Sequence, residues 1–542
     1  MAQPAPPVQP NAVCDATTRQ SRNDLCPSGC FDGPTRLKSL QGARHRSPGL
    51  GHVEPFLTVR SMSHVSAHGE TIPSSWTEVF RGRIGVYTLL LNIGVLFFAV
   101  DNFLINTLMP SIVADIGGVA FYAWAMMLYL VGSITGAASY GPLRARIGGR
   151  RAFAVGGAVF SLGALGCSTA TTIGWLLVAR LFQGVGGGLI LAGSMAFISV
   201  LFEPRLRKYA VAVMNATWII AALVGPVQAG VFANFGWWRG AFFLYVPIGA
   251  AFLIGVLWKI PKSADQATAD SRALRFPIWR VGLLGLGVLC VSSSGQVQGA
   301  ALRLALIAAA GLLVWYAFSR DAAADNRLFP SQPLSFSAPV GLAYWGHLLV
   351  AASYVSVSIY LPLVLTVLHG IAPLYVGLAN GLMSIGWSIA AALSAGLHGS
   401  RERVVVIAGP ICLMIGSVGL AVVAITGAHF VWVLSCAPLV GVGIGIFHVH
   451  MTVRVMGVAR PGEESITASS LSTIRALGMA FGAAVAGTIG NVAGLQQTAT
   501  PDIVSAAVTT VYLFNVLPMI LAAAVAVRFF QVAEPVREEI AR

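Results

Sequence analysis

Asp101 lies well inside a long apolar run of this chain, GVYTLLLNIGVLFFAVDNFLINTLMP at 85–110. An ionised carboxylate near a bilayer centre costs about 3 kcal/mol on insertion scales, so it persists where it meets a watery cavity or an opposite charge. The candidate for that charge is Arg180, isolated in a second apolar run, IGWLLVARLFQGVGGGLILAGSMAFISVLF at 173–202. Gln183 follows Arg180 by three residues and can share its helix face. One buried acid and one buried base in an otherwise apolar setting point to a transport pathway that handles protons or a charged substrate.

Other chemistry has little support. No paired carboxylates, nucleophile arrangement or metal cluster stands out, which argues against an enzyme and against a bound cofactor or metal. His347, His448 and His450 sit in or near apolar runs. On a helix, His448 and His450 point to opposite sides and make a poor metal pair, so local hydrogen bonding is the expectation. Cys167, Cys290, Cys412 and Cys436 also lie in apolar runs, where a thiol is a small hydrophobe. Cys14, Cys26 and Cys30 lack zinc-site spacing. The phosphate-binding pattern G-x-x-x-x-G-K-[ST] is absent, so ATP-driven pumping is unsupported.

The elements that must position these residues are membrane helices. The chain is 56% hydrophobic and only 10% charged, against about 25% charged in an ordinary soluble domain. A net charge of +14 does not suggest nucleic acid, because the bases fall in short loops between apolar runs. Fourteen segments are long enough, or nearly so, to span a membrane. They run over 86–110, 119–141, 152–169, 173–201, 209–233, 239–258, 278–294, 302–319, 338–366, 374–397, 404–426, 430–451, 466–490 and 505–530. With the N-terminus inside, the cytoplasmic loops carry Arg144, Arg146, Arg150 and Arg151, then Arg205, Arg207 and Lys208. Next come Lys259, Lys262, Arg272 and Arg275, then Arg320, Arg327, Arg401, Arg403, Arg454 and Arg460. The opposite ends hold little beyond Arg239 and Arg303. One missed helix would invert every later loop, so the pattern supports an even count with both termini cytoplasmic.

The expected organisation is a disordered or mis-annotated tail at 1–84, with Met62 as an alternative start, and then a six-helix bundle at 85–258. A linker with two extra helices at 259–337, a second six-helix bundle at 338–530 and a tail at 531–542 complete it. The two bundles echo each other: GPLRARIGGRR at 141–151 and GLHGSRERV at 396–404 each follow a second helix. Such internal symmetry marks duplicated transporter halves with substrate handled between them.

Several motifs carry a family resemblance over most of residues 85–535. DNFLINTLMPSI at 101–112 is similar to D-x-T-I-V-N-x-A-L-P, with Asp101, Asn106 and Pro110 matching. RLFQGVGGG at 180–188 resembles R-x-x-Q-G-x-G-x-x, and ALVGPVQAG at 222–230 resembles the antiporter pattern G-x-x-x-G-P-x-x-G-G. There Gly225, Pro226 and Gly230 match, while Ala222 and Ala229 replace glycines. GWWRGAFFLYVPIG at 236–249 is close to W-R-W-x-F-x-x-N-x-P-x-G, with Tyr245 where Asn is usual. The loop at 141–151 resembles G-x-L-a-D-r-x-G-r-k through Gly141, Leu143, Arg146, Gly148, Arg150 and Arg151, with Ala145 at the acidic position. Residues 359–391 and Arg475 in STIRALGMAFG extend the likeness into the second half. The chain thus resembles the major facilitator superfamily, in its fourteen-span drug:proton antiporter branch.

The resemblance implies an all-α polytopic fold and proton-coupled efflux of drugs or other lipophilic small molecules, while the compact loops and the lack of a eukaryotic-style sorting signal favour a bacterial inner membrane. Asp101, Arg180, Asn106 and Gln183 would serve proton coupling or substrate. Gly225, Pro226 and Gly230 would form the antiporter motif, and the loop motif would latch the halves, weakened by Ala145. Its bases equally suit anionic lipid. The partners implied are a small-molecule substrate, protons and membrane lipids, with the monomer functional. Phe97, Phe98, Phe103, Trp218 and Phe243 are the aromatic side chains suited to an apolar cavity. Alternatives are a dedicated exporter of one metabolite, siderophore or lipid in the same fold, and a non-transporting membrane sensor, which would normally carry a sizeable soluble domain.

Overall fold

In the computed structural model, residues 76–262, 278–324, 326–460, 462–497 and 499–541 are described, and they contain helices and no strand. The expectations for residues 1–75 of the N-terminal tail, Cys14, Cys26, Cys30, Met62, Arg272 and Arg275 lie outside the described residues, whereas the end of that tail is helical, with a 3-10 turn at Trp76–Phe80 and a long helix from Gly82. In an apolar medium a helix satisfies its own backbone groups, which is why runs of this length and composition fold so.

The first group of helices is α1 (Gly82–Ile116), α2 (Trp124–Ile147), α3 (Gly149–Ser168), α4 (Ile173–Leu201), α5 (Pro204–Asn234), α6 (Trp238–Phe243) and α7 (Tyr245–Lys259). Next come α8 (Ile278–Ser294) and α9 (Ala300–Ala322). The last group is α10 (Pro339–Val367), α11 (Pro373–Ser394), α12 (Ser400–Thr426), α13 (Val431–Gly457), α14 (Glu464–Gly490), α15 (Pro501–Phe514) and α16 (Val516–Ala541). Pro204, Pro339, Pro373 and Pro501 open their helices, where a missing N–H costs nothing.

Thirteen of the described helical stretches are long and apolar enough to cross a membrane, and α8 is a shorter apolar helix. Two spans expected to be continuous are broken. Helix α6 gives way to α7 at Leu244, and α15 to α16 at Asn515. Each break lies three residues before a proline, Pro247 or Pro518. A proline cannot donate to the carbonyl four residues back, so Phe243 and Phe514 lose their helical partners there.

Close backbone approach organises the packing. A Cβ on Gly184 would lie 2.1 Å from the Tyr129 carbonyl, and one on Gly188 2.0 Å from that of Ser133, so α4 rests directly on α2. Gly441 does the same on α13, where a Cβ would stand 1.8 Å from the Met383 carbonyl of α11. The α2–α4 contact in the first group thus has a counterpart in the second, as small residues allow in membranes. Helices α5 with α11, α2 with α14, and α1 with α10 join the two groups.

The α8–α9 hairpin packs on α2 and α14. Near its tip, Gln296 Nε2 donates to the Ala120 carbonyl at 2.7 Å, and Gln496 Nε2 donates to the Gln296 carbonyl at 3.0 Å. At its base Arg280 pairs with the buried Asp321 and donates to Asn326 Oδ1 at 2.6 Å. Asp321 also accepts from the backbone N–H groups of Leu328 and Phe329 at 2.9–3.0 Å. Stranding a buried guanidinium costs about 3–5 kcal/mol. Asp321→Ala is therefore expected to lower the thermal midpoint of the detergent-solubilised protein by several degrees, as read by fluorescence-detected size exclusion. An unchanged midpoint would mean that this ion pair does not anchor the hairpin.

Candidate functional site

Helix α1 presents two neighbouring stripes at four-residue spacing. Phe97, Asp101 and Ile105 turn into the first helix group, while Phe98, Asn102 and Asn106 line a cavity between the groups. Asp101 is fully buried, as are Arg180 and Gln183. Arg180 Nη1 donates to Asp101 Oδ2 at 2.5 Å and to Gln183 Oε1 at 2.8 Å. Gln183 Nε2 donates to Asp101 Oδ1 at 3.0 Å, so the carboxylate is held on both oxygens. Arg180 Nε donates to the Ala125 carbonyl at 3.3 Å, leaving Nη2 without an acceptor among the described residues. The guanidinium lies 4.2 Å over the Tyr129 ring, a favourable position for a cation.

The three polar residues singled out from the sequence therefore meet, and Asp101 faces its basic partner rather than open water. Sequence reasoning missed Tyr129, the Ala125 carbonyl and Cys167, whose Sγ donates to Gln183 Oε1 at 3.4 Å. Nothing in an apolar run distinguishes them.

The cavity has a volume of about 700 Å³. Phe98, Met126 and Trp218 contribute from the first group, and Tyr354, Trp387, His448 and Arg475 from the second. On α4, α11 and α13 its lining positions fall in the helix half nearer the basic loops, while on α2 and α10 they fall mostly in the other half, so the cavity reaches the middle of the spans. Asn106 Nδ2 donates across it to Ser358 Oγ at 3.0 Å. Of the aromatic side chains expected here, Phe98, Phe103 and Trp218 line it. Phe97 instead packs among Phe160, Tyr245 and Phe252, and Phe243 is exposed on the outer face of α6. Helix phase explains both: Phe97 is on the Asp101 stripe, and Phe243 ends a short helix at the break.

At the opposite end the halves close. The stripe Ala222, Pro226 and Gly230 of α5 meets α11. A Cβ on Gly377 would lie 2.2 Å from the Pro226 carbonyl, and one on Gly230 2.6 Å from Leu374 Cα. Gly225 turns the other way, toward the Val100 carbonyl of α1. Tyr122 and Tyr360 stack across the same region, centroids 5.6 Å apart. A smaller pocket of about 250 Å³ beside this seam is lined by apolar side chains such as Leu223 and Leu365 and by Tyr375. The 141–151 segment, expected as a loop, is the end of α2 and the start of α3 joined at Gly148, whose φ of +87° favours glycine. Arg150 Nη1 donates to the Leu257 carbonyl at 3.1 Å, and Gly141, Arg146 and Arg151 face outward.

Residues 91–483 match the Major Facilitator Superfamily. The chain belongs to this superfamily. That makes it a multi-pass membrane transporter. Probable multidrug-efflux transporters from two strains of Mycobacterium tuberculosis are 32% identical over 434 residues, covering 77% of this chain and 90% of theirs. Multidrug resistance protein 3 of Bacillus subtilis is 24% identical over 415 residues, covering 73% of this transporter and 78% of its own length. Among solved structures, the inward-open xylose transporter XylE from E. coli superposes with a TM-score of 0.54 at 16% identity. That match covers 82% of this chain and 95% of XylE, and it bears on the fold alone.

Proposed function

We propose that this transporter exports drugs or other lipophilic small molecules in exchange for protons, by alternating access, with both termini on the cytoplasmic side of a bacterial plasma membrane. The reading rests chiefly on one observation: a sealed Asp101–Arg180–Gln183 cluster shares helix α1 with the wall of a cavity between two helix groups. In this assignment helices at 85–258 and 338–530 rock as two bundles, and the cavity opens to the cytoplasm in the conformation described. The likeness to multidrug-efflux transporters supports the direction of transport.

The geometry supports this reading of the coupling. Protonating Asp101 removes the counter-charge of Arg180, whose guanidinium lies against Tyr129. Tyr129 donates its hydroxyl to the Phe98 carbonyl at 3.0 Å and stacks on Phe98, which edges Trp218 in the cavity wall. The charge state of Asp101 thus bears on the side chains a substrate would touch. One proton entering across 100 mV releases about 2.3 kcal/mol, and one pH unit adds about 1.4 kcal/mol. Together they sustain a gradient of several hundred-fold for a neutral substrate. Exchange of one proton for a monovalent cation leaves the pH contribution alone.

Inside-out vesicles holding the purified transporter and an acid lumen are expected to concentrate lipophilic dyes, and collapse of the pH gradient is expected to release them. Dye uptake that survives full collapse of both pH gradient and voltage would refute proton coupling.

A further inference from the structure

Arg475 stands midway along α14, on the cavity wall, and contrasts with four ion-paired guanidiniums of the fold. Arg180 has Asp101, Arg280 has Asp321, Arg454 has Glu402 and Arg239 has Asp115. Arg475 makes no ion pair among the described residues. It donates from Nη1 to His448 Nε2, and His448 Nδ1 is 3.1 Å from His347 Nδ1. An arginine is always a donor, so His448 Nε2 accepts. His448 then carries its proton on Nδ1 and donates it to His347, which carries its own on Nε2. That Nε2 is buried and has no hydrogen-bond partner among the described residues, and its ring packs edge-to-face with Phe447. Both imidazoles are therefore neutral in this network. They orient the guanidinium without cancelling its charge.

The rest of the wall adds no counter-charge. Among the described residues, the lining of the cavity includes no Asp, Glu or Lys, and Asp101 is sealed behind the Phe98 stripe. Trp387 edges Tyr354 and His448 on one side, and Trp218 edges Phe98 on the other, giving flat apolar walls. An unpaired cation on a partly desolvated wall is costly unless an anion joins it at some stage of the cycle. Arg offers a planar fork of donors that matches a carboxylate bidentately.

We propose that Arg475, positioned by His448 and His347, binds an anionic group, such as a carboxylate, on an aromatic substrate held between the Trp218 and Trp387 walls. This deepens the export reading above by naming its substrate class, and it rests on that reading for the transport step. It also separates two jobs: Asp101 serves the proton and Arg475 serves the cargo. A cavity with this lining disfavours organic cations.

Three xanthene dyes of similar shape test the charge preference on the detergent-solubilised, full-length protein: fluorescein, its methyl ester, and the cationic rhodamine 6G. Binding is followed by quenching of tryptophan fluorescence. Fluorescein is expected to bind at least tenfold more tightly than its ester and than rhodamine 6G, a comparison that needs no mutant. Arg475→Gln is expected to remove that preference, and Arg475→Lys to keep part of it through charge alone. Rhodamine 6G binding as tightly as fluorescein, or a fluorescein preference intact in a folded Arg475→Gln protein, would overturn the assignment. Because binding is measured without a gradient, it is separable from the export reading. Proton-driven uptake of rhodamine 6G in preference to fluorescein would keep export and sink the anion site. Selective fluorescein binding without any transport would do the reverse.

Discussion

Asp101→Asn is expected to reduce proton-driven transport at least a hundredfold while the protein still inserts in the membrane. The side chain keeps its shape but can no longer gain or lose a proton. It also leaves Arg180 fully buried without a counter-charge, a situation that costs about 3–5 kcal/mol. The single variant should therefore lose thermal stability as well as coupling, and the two effects must be separated. Asp101→Asn combined with Arg180→Gln removes both charges, so it is expected to recover part of the lost stability and none of the coupling. Vesicle transport and thermal midpoints measured side by side read the two outcomes. A double variant that transported at the wild-type rate with the same proton dependence would show that the ion pair is only structural.

Gly377→Ala is expected to be far more harmful than Gly381→Ala, although both change α11 by one methyl group. The Cβ at 377 would lie 2.2 Å from the Pro226 carbonyl, a contact that the backbones can relieve only by separating. At 381 the nearest neighbour is the Ala222 carbonyl at 3.6 Å, an ordinary contact. If the α5–α11 seam must close in each cycle, Gly377→Ala should slow transport at least tenfold and bias the protein toward opening at that end. Ser358→Cys, in a protein without its other cysteines, reports the opening through its labelling by an impermeant maleimide from the α5–α11 side. The expected result is faster labelling with Gly377→Ala and unchanged labelling with Gly381→Ala. Equal activity of the two would remove the seam from the transport cycle.

The helical plan was legible because a membrane leaves few alternatives. Apolar runs of about 20 residues and basic loops at alternate ends gave bounds near those found for α4, which runs over Ile173–Leu201. The breaks before Pro247 and Pro518 were not read, since prolines also occur in helices that continue unbroken, as at Pro110 in α1. The Asp101–Arg180 pairing was legible because two isolated charges in apolar runs have strong reason to meet. Its direction was not: the same arithmetic permits a carboxylate in a wet cavity, and helix phase decided for the buried stripe. The Arg475–His448–His347 chain was hidden for another reason. Its members are far apart in sequence and each alone is compatible with local bonding, so only the packing of α10, α13 and α14 unites them. The antiporter motif likewise showed a proline among small residues, while its partner Gly377 across the seam could not be read from spacing.

Asp101, in the proposed cycle, carries the proton exchanged for substrate. Lumenal pH in inside-out vesicles tests this role directly when a lipophilic dye is added, with wild type beside Asp101→Asn. Dye-triggered alkalinisation of the lumen is expected from the wild type and none from the variant. Alkalinisation of equal size in both would contradict that role.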